Sequence, residues 1–338
     1  MLSVSMAMLL AGCGALHPLP EKQAGGTTAA DIVLRNLSLQ RRDLAIKSAI
    51  ARPDPFLLQN VNHLLQAPVR ISAFAENVET ALQKKTMGIA AQVALCANIL
   101  EAPIEAAQVQ APENTLPEYF QSPAVTALYA ALQRAGSLLQ EAFTRLDRKE
   151  MLFVKETIEH LLFYGDYWQE HTRDETQDMI EKAFQLASRV DLKKITSACY
   201  TVAAALDRAM PELTQKPLAL EPGRMATPLG DIIIGGYGPD TYTGAMPLLL
   251  VDPGGNDTYA FDDYASLSVI IDLAGNDVYK SRSKAFLGAG ILGLGVIMDV
   301  EGDDRYYGEV FSFGCGFMGA GVVADLAGND RYESRLFS

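Results

Sequence analysis

Residues 252–259 read DPGGNDTY, and the same pattern returns as DLAGNDVY at 272–279, DVEGDDRY at 299–306 and DLAGNDRY at 325–332. We call these four segments units 2 to 5, and the shorter GPDTY at 238–242 unit 1. The shared pattern is Asp-x-x-Gly-Asn/Asp-Asp-x-Tyr, preceded by a few apolar residues. Such an internal repeat is the strongest indicator of architecture in a sequence, because each copy forms one structural unit that stacks on the next.

Units 4 and 5 match over more than the shared pattern. Gly288, Gly290, Gly293 and Gly295 are each followed 26 residues later by another glycine. Gly-Asn-Asp suits a tight turn, and closely spaced glycines let layers approach one another. The strands before the turns are apolar at consecutive positions, as in a sheet covered on both faces. These features predict a C-terminal right-handed parallel β-helix or β-roll of about five coils.

The chain before the repeats has a different pattern. Residues 29–212 carry apolar side chains at helical spacing, with prolines between segments, and predict a bundle of about six or seven antiparallel helices. One helix is predicted to run unbroken from Val69 to Leu100, and another to begin at Ser122 and Pro123. The fold class is therefore α+β multidomain, with a helical domain at 29–212, a linker at 213–229 and an acidic repeat domain at 230–338.

Charge is concentrated in the repeats. The 338 residues carry a net charge of −13, and residues 231–338 alone contribute −10, from 16 acidic and 6 basic side chains. This excess argues against nucleic acid or an anionic membrane surface as the partner. A hydrophobic content of 49% excludes general disorder.

The aspartates of the units are the candidate metal ligands. Stacking would place them in columns about 5 Å apart, the spacing of neighbouring strands. The residues are Asp252, Asp257, Asp272, Asp277, Asp299, Asp304, Asp325 and Asp330. Calcium, which takes six to eight oxygen ligands, would neutralise the repulsion within such columns and is the one cofactor that the pattern suggests.

The alternative is that each aspartate caps N–H groups of its turn and stays solvated, with Arg305 and Arg331 offsetting the charge without metal. Neither interpretation makes the aspartates catalytic, because a ladder with the same carboxylates in every unit has no unique acid and base. No catalytic residue is predicted.

The segment GGNDTY at 254–259 resembles the calcium-binding RTX repeats, which are nonapeptides. The units of this chain depart from that pattern in period, since their tyrosines are 17 to 27 residues apart. They are more similar to acidic G-N-D-x-Y repeat regions of uncharacterised bacterial surface proteins and lipoproteins. That resemblance implies a fold but no activity.

Residues 10–13, LAGC, follow a short apolar segment and resemble the lipobox of bacterial lipoproteins. The resemblance implies a signal peptide at 1–12, lipidation of Cys13 with palmitate, a tether at 13–28, and anchoring to the membrane through the lipid. Gly14 after the cysteine implies the outer membrane, facing the periplasm or the cell surface. No Lys or Arg precedes the apolar segment, in contrast to the usual pattern. The alternative is an apolar N-terminus without a signal role.

These features predict an envelope-anchored structural or binding protein, an adhesin or scaffold, with a protein or polysaccharide partner. The alternative is a carbohydrate-active enzyme that processes polysaccharide on the β-helix surface, by analogy of fold alone. It would need a cluster outside the repeats, for which Lys280, Arg282 and Lys284 are the candidates, although a solvated loop explains them more simply. Residues 333–338 map onto 307–312 and the pattern then stops within a unit, so we expect the chain to be a piece of a longer protein. The alternative is that its last coil pairs with a partner chain.

Overall fold

The computed structural model describes residues 7–9, 34, 58–67, 70–82, 88–105, 108–111, 116–117, 120, 122–163, 173–215, 218, 220–263, 265–281 and 287–336. The helices in these residues are α1 (Gln59–Gln66), α2 (Ile71–Leu82), α3 (Ile89–Ile99), α4 (Pro123–Ala142), α5 (Arg148–Phe163), α6 (Arg173–Ala187) and α7 (Leu192–Leu213). The strands are β1 (Ala7–Leu9), β2 (Gly223–Thr227), β3 (Gly230–Ile234), β4 (Thr241–Ala245), β5 (Leu249–Asp252), β6 (Thr258–Asp263), β7 (Leu267–Asp272), β8 (Val278–Lys280), β9 (Gly290–Ile291), β10 (Leu294–Asp299), β11 (Arg305–Val310), β12 (Cys315–Phe317), β13 (Ala320–Asp325) and β14 (Arg331–Leu336). The predicted α+β class is confirmed at this level.

The start of α4 lies where the sequence predicts it. Ser122 precedes the helix, and its hydroxyl oxygen accepts a hydrogen bond from the Val125 N–H at 3.0 Å, as in a serine N-cap. Pro211 lies inside α7, which continues to Leu213, so the helical domain ends one residue later than the predicted boundary at 212. Helices α4 and α7 pack closely against each other along their lengths.

The prediction of one helix from Val69 to Leu100 is wrong. Helix α2 ends at Leu82, and α3 begins at Ile89. The Asp207 carboxylate, from α7, accepts hydrogen bonds from the N–H groups of Ile89 and Ala90 at 2.9 and 3.0 Å. A carboxylate in this position stabilises a helix N-terminus, so a tertiary contact sets the start of α3.

Most strands of the repeat region belong to two sheets, whereas β9 and β12 pair with each other in a third sheet of three strands, with the order β1-β12-β9. The six-stranded sheet has the order β13-β10-β7-β5-β3-β2, and the five-stranded sheet has the order β14-β11-β8-β6-β4. Neighbours are parallel throughout, except that β2 is antiparallel to β3. Strand β2 lies within 213–229, the segment expected to be a linker.

The units stack in register. Asp252, Asp272, Asp299 and Asp325 occupy equivalent positions on neighbouring strands of the six-stranded sheet. In the five-stranded sheet the equivalent row consists of Tyr242, Tyr259, Tyr279, Tyr306 and Tyr332. The turns between the two sheets therefore stack on one another. The aspartates of each turn lie beside the equivalent aspartates of the neighbouring turns.

Four strands of the six-stranded sheet, β5, β7, β10 and β13, are buried on both faces, as their consecutive apolar residues predict. Every residue of β7, β10 and β13 is buried. Val269 and Ile271 belong to the same hydrophobic cluster as the helices, whereas Ile270 belongs to the cluster that contains the tyrosines. The helices and the six-stranded sheet thus share one hydrophobic core.

The contacts of two glycines explain why the segments before units 4 and 5 are rich in glycine. A Cβ atom on Gly290 would overlap the carbonyl oxygen of Ala320, and one on Gly319 would overlap the carbonyl oxygen of Gly290. The close approach of layers that the glycines predict is therefore confirmed at this pair.

The N-terminal features are largely outside the described residues. Of the expected signal peptide, the structure describes 7–9, which form β1 and pair in parallel with β12. Cys13 and the tether lie outside the described residues. Among the helices that are described, none combines the length and the apolar character required to cross a bilayer.

Candidate metal centre

The candidate site is the column of turns that joins the two sheets. Strands β5, β7, β10 and β13 each end at the first aspartate of a unit. Seven of the eight predicted aspartates are at most 1% exposed, and Asp330 is half-buried. The interpretation that they stay solvated is therefore wrong. Stacking of the turns removes them from water, an effect that one turn considered alone does not show.

The same interpretation also predicts that the aspartates cap N–H groups of their turns. This is confirmed for the first aspartates of units 2 and 3. The Asp252 Oδ1 atom accepts a hydrogen bond from the Gly254 N–H at 2.8 Å. The Asp272 Oδ1 atom accepts one from the Ala274 N–H at 2.9 Å. Both are local side-chain to backbone bonds of the Asx type, and they shape the turn while using only one of the two carboxylate oxygens.

The second oxygen of most first aspartates accepts a hydrogen bond from a tyrosine of the preceding unit. The donor and acceptor pairs are Tyr242 to Asp252, Tyr259 to Asp272, and Tyr279 to Asp299. The tyrosine rings stack with 4.4 to 5.1 Å between neighbouring centroids. Burial raises the pKa of Tyr279 well above its ordinary value, so its hydroxyl stays protonated and donates.

The second aspartates form a ladder between units. In each step, a carboxylate oxygen accepts a hydrogen bond from the backbone N–H of the aspartate one unit earlier. The donor and acceptor pairs are Asp240 to Asp257 (2.6 Å), Asp257 to Asp277 (2.5 Å), Asp277 to Asp304 (2.7 Å) and Asp304 to Asp330 (3.1 Å). These bonds again use one oxygen of each carboxylate.

Five carboxylate oxygens of these columns are buried without any hydrogen-bond partner among the described residues. They are the Oδ2 atoms of Asp257, Asp277 and Asp304 and the Oδ1 atoms of Asp299 and Asp325. A buried carboxylate oxygen without a partner is costly, because it loses its hydration and gains nothing in exchange. A cation bound to these oxygens would remove that cost.

The aspartates form three groups in which one oxygen from each member lies within 4.8 Å of the others. The groups are Asp252, Asp257 and Asp272; Asp272, Asp277 and Asp299; and Asp304, Asp325 and Asp330. An ion with metal to oxygen distances of about 2.4 Å spans such a group. The ligands are all hard oxygens, which favour calcium or magnesium over transition metals. Asp272 belongs to two groups, so neighbouring ions would share it.

The electrostatics favour neutralisation of the column. Burial raises the pKa of Asp252 to about 6. Burial is the main cause of the raised pKa of Asp272, and the nearby Asp277 carboxylate is the next cause. The pKa values of Asp277 and Asp299 are raised as well, mainly by burial. The negative charges therefore oppose one another in a site that excludes water.

The structure does not show the expected offset of the aspartate charges by Arg305 and Arg331. Besides burial, the principal groups that shift the pKa values of Asp304 and Asp325 are neighbouring aspartates, tyrosine hydroxyls and a backbone N–H. Neither Arg305 nor Arg331 is among them. Each of these arginines directly precedes a tyrosine of the five-stranded sheet, so alternation along the strand places the arginine and the tyrosine on opposite faces.

Sequence reasoning missed two parts of the site. It gave no role to the tyrosine hydroxyls, and it left out Asp240, which joins the ladder of second aspartates. The tyrosine two residues after the second aspartate of every unit was the available signal. Of the basic cluster considered for an enzyme, Lys280 lies on β8, whereas Arg282 and Lys284 lie outside the described residues.

No protein-family model, no curated protein and no solved structure matches this chain.

Proposed function

We propose that the repeat region is a right-handed parallel β-helix of about five coils, stabilised by calcium ions that bind its aspartates. The chain would serve as a structural or binding module, an adhesin or scaffold, at the envelope of a bacterium. The observation that carries the proposal is the set of five buried carboxylate oxygens without partners among the described residues, each on an aspartate that belongs to one of the three groups.

The alternation of strands supports the β-helix. Each unit follows a strand of the six-stranded sheet and leads into a strand of the five-stranded sheet, and the next unit repeats this path one level further. Parallel neighbours require such a crossover connection, and crossovers of this kind are right-handed in nearly all proteins. One passage through both sheets would be one coil.

The three aspartate groups would hold the ions. Calcium supplies positive charge and takes up the free oxygens, while the other oxygens keep their bonds to turn N–H groups and tyrosine hydroxyls. Because Asp272 belongs to two groups, filling one site also orients a ligand of the next. The chain's own contribution is to hold the carboxylates at a spacing set by the parallel strands.

The same geometry favours a structural role over a catalytic one. Each unit offers similar carboxylates with similar partners, so no aspartate is set apart as acid, base or nucleophile. Extracellular calcium modules bind their ions with dissociation constants of about 10⁻⁴ to 10⁻³ M. Such weak binding suits a protein outside the cytoplasm, where the lipobox-like LAGC segment would place it.

Thermal unfolding of the full chain tests the calcium proposal. We expect the melting temperature in millimolar calcium to exceed that in chelator by several degrees, because a ligand that binds only the folded state at about ten times its dissociation constant adds about 1.4 kcal/mol per site. Magnesium at the same ionic strength controls for general screening and should give a smaller rise. Equal melting temperatures in calcium and chelator would overturn the proposal.

Replacement of Cys13 by Ser tests the anchor. The unchanged chain should fractionate with membranes when it is expressed from its full reading frame in a bacterium, and C13S should not. The replacement C315S, at a buried cysteine, controls for the loss of a thiol. Unaltered membrane association of C13S would remove the lipoprotein assignment.

A further inference from the structure

A polar cavity lies in the helical region, beside α4 and the turn that joins β2 to β3. Its volume is about 440 Å³, within the range of about 300 to 1,000 Å³ that is usual for small-molecule sites. A Cβ atom on Gly136 of α4 would lie 3.8 Å from the Leu229 side chain, so the turn packs on the helix here. The cavity is bounded by α4, this turn and residues 108–111. Four glutamines line it: Gln108, Gln110, Gln133 and Gln140.

The lining of this cavity suits an uncharged ligand. Each glutamine amide offers both hydrogen-bond donors and an acceptor. Among the lining residues that the structure describes, Arg134 is the only charged one, and its Nη1 atom is 3.1 Å from the Glu141 Oε1 atom. Glu141 also pairs with Lys194 at 3.0 Å, and on the adjoining strands Arg224 pairs with Asp231 at 2.5 Å. A charged ligand would therefore find no charge without a counter-ion among these residues.

Tyr129 provides separate evidence that the cavity takes a ligand. It lies on α4, lines the cavity and is only 1% exposed. Its hydroxyl forms no hydrogen bond with any residue that the structure describes. This hydroxyl is not one of the fully enclosed polar atoms, so the cavity reaches it. A buried hydroxyl without a partner is costly and uncommon in folded proteins, and a hydroxyl group of a ligand would remove that cost.

We propose that this cavity binds a short segment of an uncharged polysaccharide. Sugar hydroxyls both donate and accept hydrogen bonds, as the glutamine amides and the Tyr129 hydroxyl do. Pro228 and Leu229 are exposed beside these polar groups and offer an apolar surface to the C–H groups of a sugar ring. A peptide is disfavoured, because peptides commonly bind along a sheet edge or in an apolar groove, whereas no described lining residue belongs to a strand. The cavity shares no residue with the aspartate columns, so the proposal goes beyond the calcium proposal and does not depend on it.

Isothermal titration calorimetry of the full chain with cellotriose, maltotriose and triacetylchitotriose tests this proposal. We expect at least one of these neutral trisaccharides to bind, and trigalacturonic acid to bind more weakly, because its carboxylates would meet no free positive charge. Y129F keeps the buried ring and should weaken binding by about fivefold, the effect of losing one hydrogen bond between neutral groups. Q140A should have a similar effect. The controls Y200F and Q185A make the same changes on α7 and α6, outside the cavity lining, and should bind as the unchanged chain does.

Thermal unfolding separates a binding role of Tyr129 from a structural one. Because the hydroxyl has no partner among the described residues, Y129F without sugar should melt at the same temperature as the unchanged chain or higher. A lower melting temperature would show that the hydroxyl stabilises the fold and would overturn the proposal. So would binding of none of the three trisaccharides at millimolar concentration, an affinity of Y129F or Q140A equal to that of the unchanged chain, or tighter binding of trigalacturonic acid. Titrations in calcium and in chelator should agree, so failure of this site leaves the effect of calcium on the melting temperature unchanged.

Discussion

Neighbouring residues at the end of one strand of the six-stranded sheet lie in two contrasting environments. Val269 and Ile271 of β7 are buried among aliphatic side chains that face the helices, and Asp272, the next residue, is buried among carboxylates. The apolar contacts need nothing from outside the chain, because burial of apolar surface is itself favourable. The carboxylates are stable in their position only if a proton or a cation neutralises them. Burial alone therefore does not distinguish a core from a site.

The largest expected effect is on the apolar side and should not depend on calcium. Leu206 of α7 is fully buried in the cluster shared by helices and sheet. We expect L206A to lower the free energy of unfolding by about 2 to 5 kcal/mol, through lost apolar burial and the cavity left behind. Denaturant unfolding in calcium and in chelator should give the same decrease. A decrease confined to one condition would contradict the separation of the two environments.

The next effect is on the aspartate side, and its sign should change with calcium. Asp272 belongs to two of the three aspartate groups. In calcium, D272N should destabilise the chain by about 2 kcal/mol, since it removes a charged ligand from both. In chelator it should be neutral or stabilising, because burial raises the pKa of Asp272 to about 9 and the amide removes the cost of keeping this carboxyl protonated in the folded chain.

The matched control for this variant is D262N. Asp262 is exposed on β6, so its replacement removes the same charge without touching the column. Its stability should stay within about 0.5 kcal/mol of the unchanged chain in both conditions. A loss of stability for D272N that is the same with and without calcium would show that Asp272 acts only through hydrogen bonds.

The dependence on pH should also reverse with calcium. Burial holds the pKa of Asp252 at about 6 in the folded chain, above its value of about 3.9 in an unfolded chain. In chelator, this contribution is fully present below about pH 4 and is lost as the pH rises through the folded pKa, so stability should fall between about pH 4 and pH 7. In calcium, protons compete with the ion, and stability should rise over the same range. Parallel curves in the two conditions would contradict the account.

The smallest expected effect is at the hydrogen bonds that join the two environments. The Tyr279 hydroxyl donates to the Asp299 Oδ2 atom at 2.6 Å. Y279F keeps the stacked ring and should cost about 1 to 2 kcal/mol, the range for a buried bond to a charged group. Tyr200 is partly exposed on α7, so Y200F should be close to neutral in the same urea titration. Equal effects of both variants would show that the tyrosine to aspartate bond contributes little.

The sequence was sufficient to predict the features that recur in every unit. It was not sufficient for features that depend on contacts between residues far apart in the chain. The repeated pattern of the units was sufficient to predict parallel strands, a sheet buried on both faces and the eight aspartates of the column. The split between α2 and α3 was missed because its cause, Asp207, lies more than a hundred residues along the chain from Ile89. The burial of Asp257 and Asp277 was underestimated, since a single turn exposes its carboxylate and only stacking covers it.

The hydrogen-bond partners of the individual carboxylate oxygens could likewise not be predicted from the sequence. The pattern shows that every unit has two aspartates and a tyrosine, but it does not show which oxygen each hydroxyl or N–H uses. The oxygens that remain without a partner, such as Asp277 Oδ2, follow from that geometry. They are the features that separate a metal site from a set of capped turns.

Equilibrium dialysis against calcium at neutral pH tests the central claim most directly. The account predicts that the full chain binds up to three calcium ions, one for each aspartate group, and that D272N binds fewer while D262N binds the same number. No calcium bound by the folded chain at millimolar free calcium, or equal binding by D272N and the unchanged chain, would contradict it.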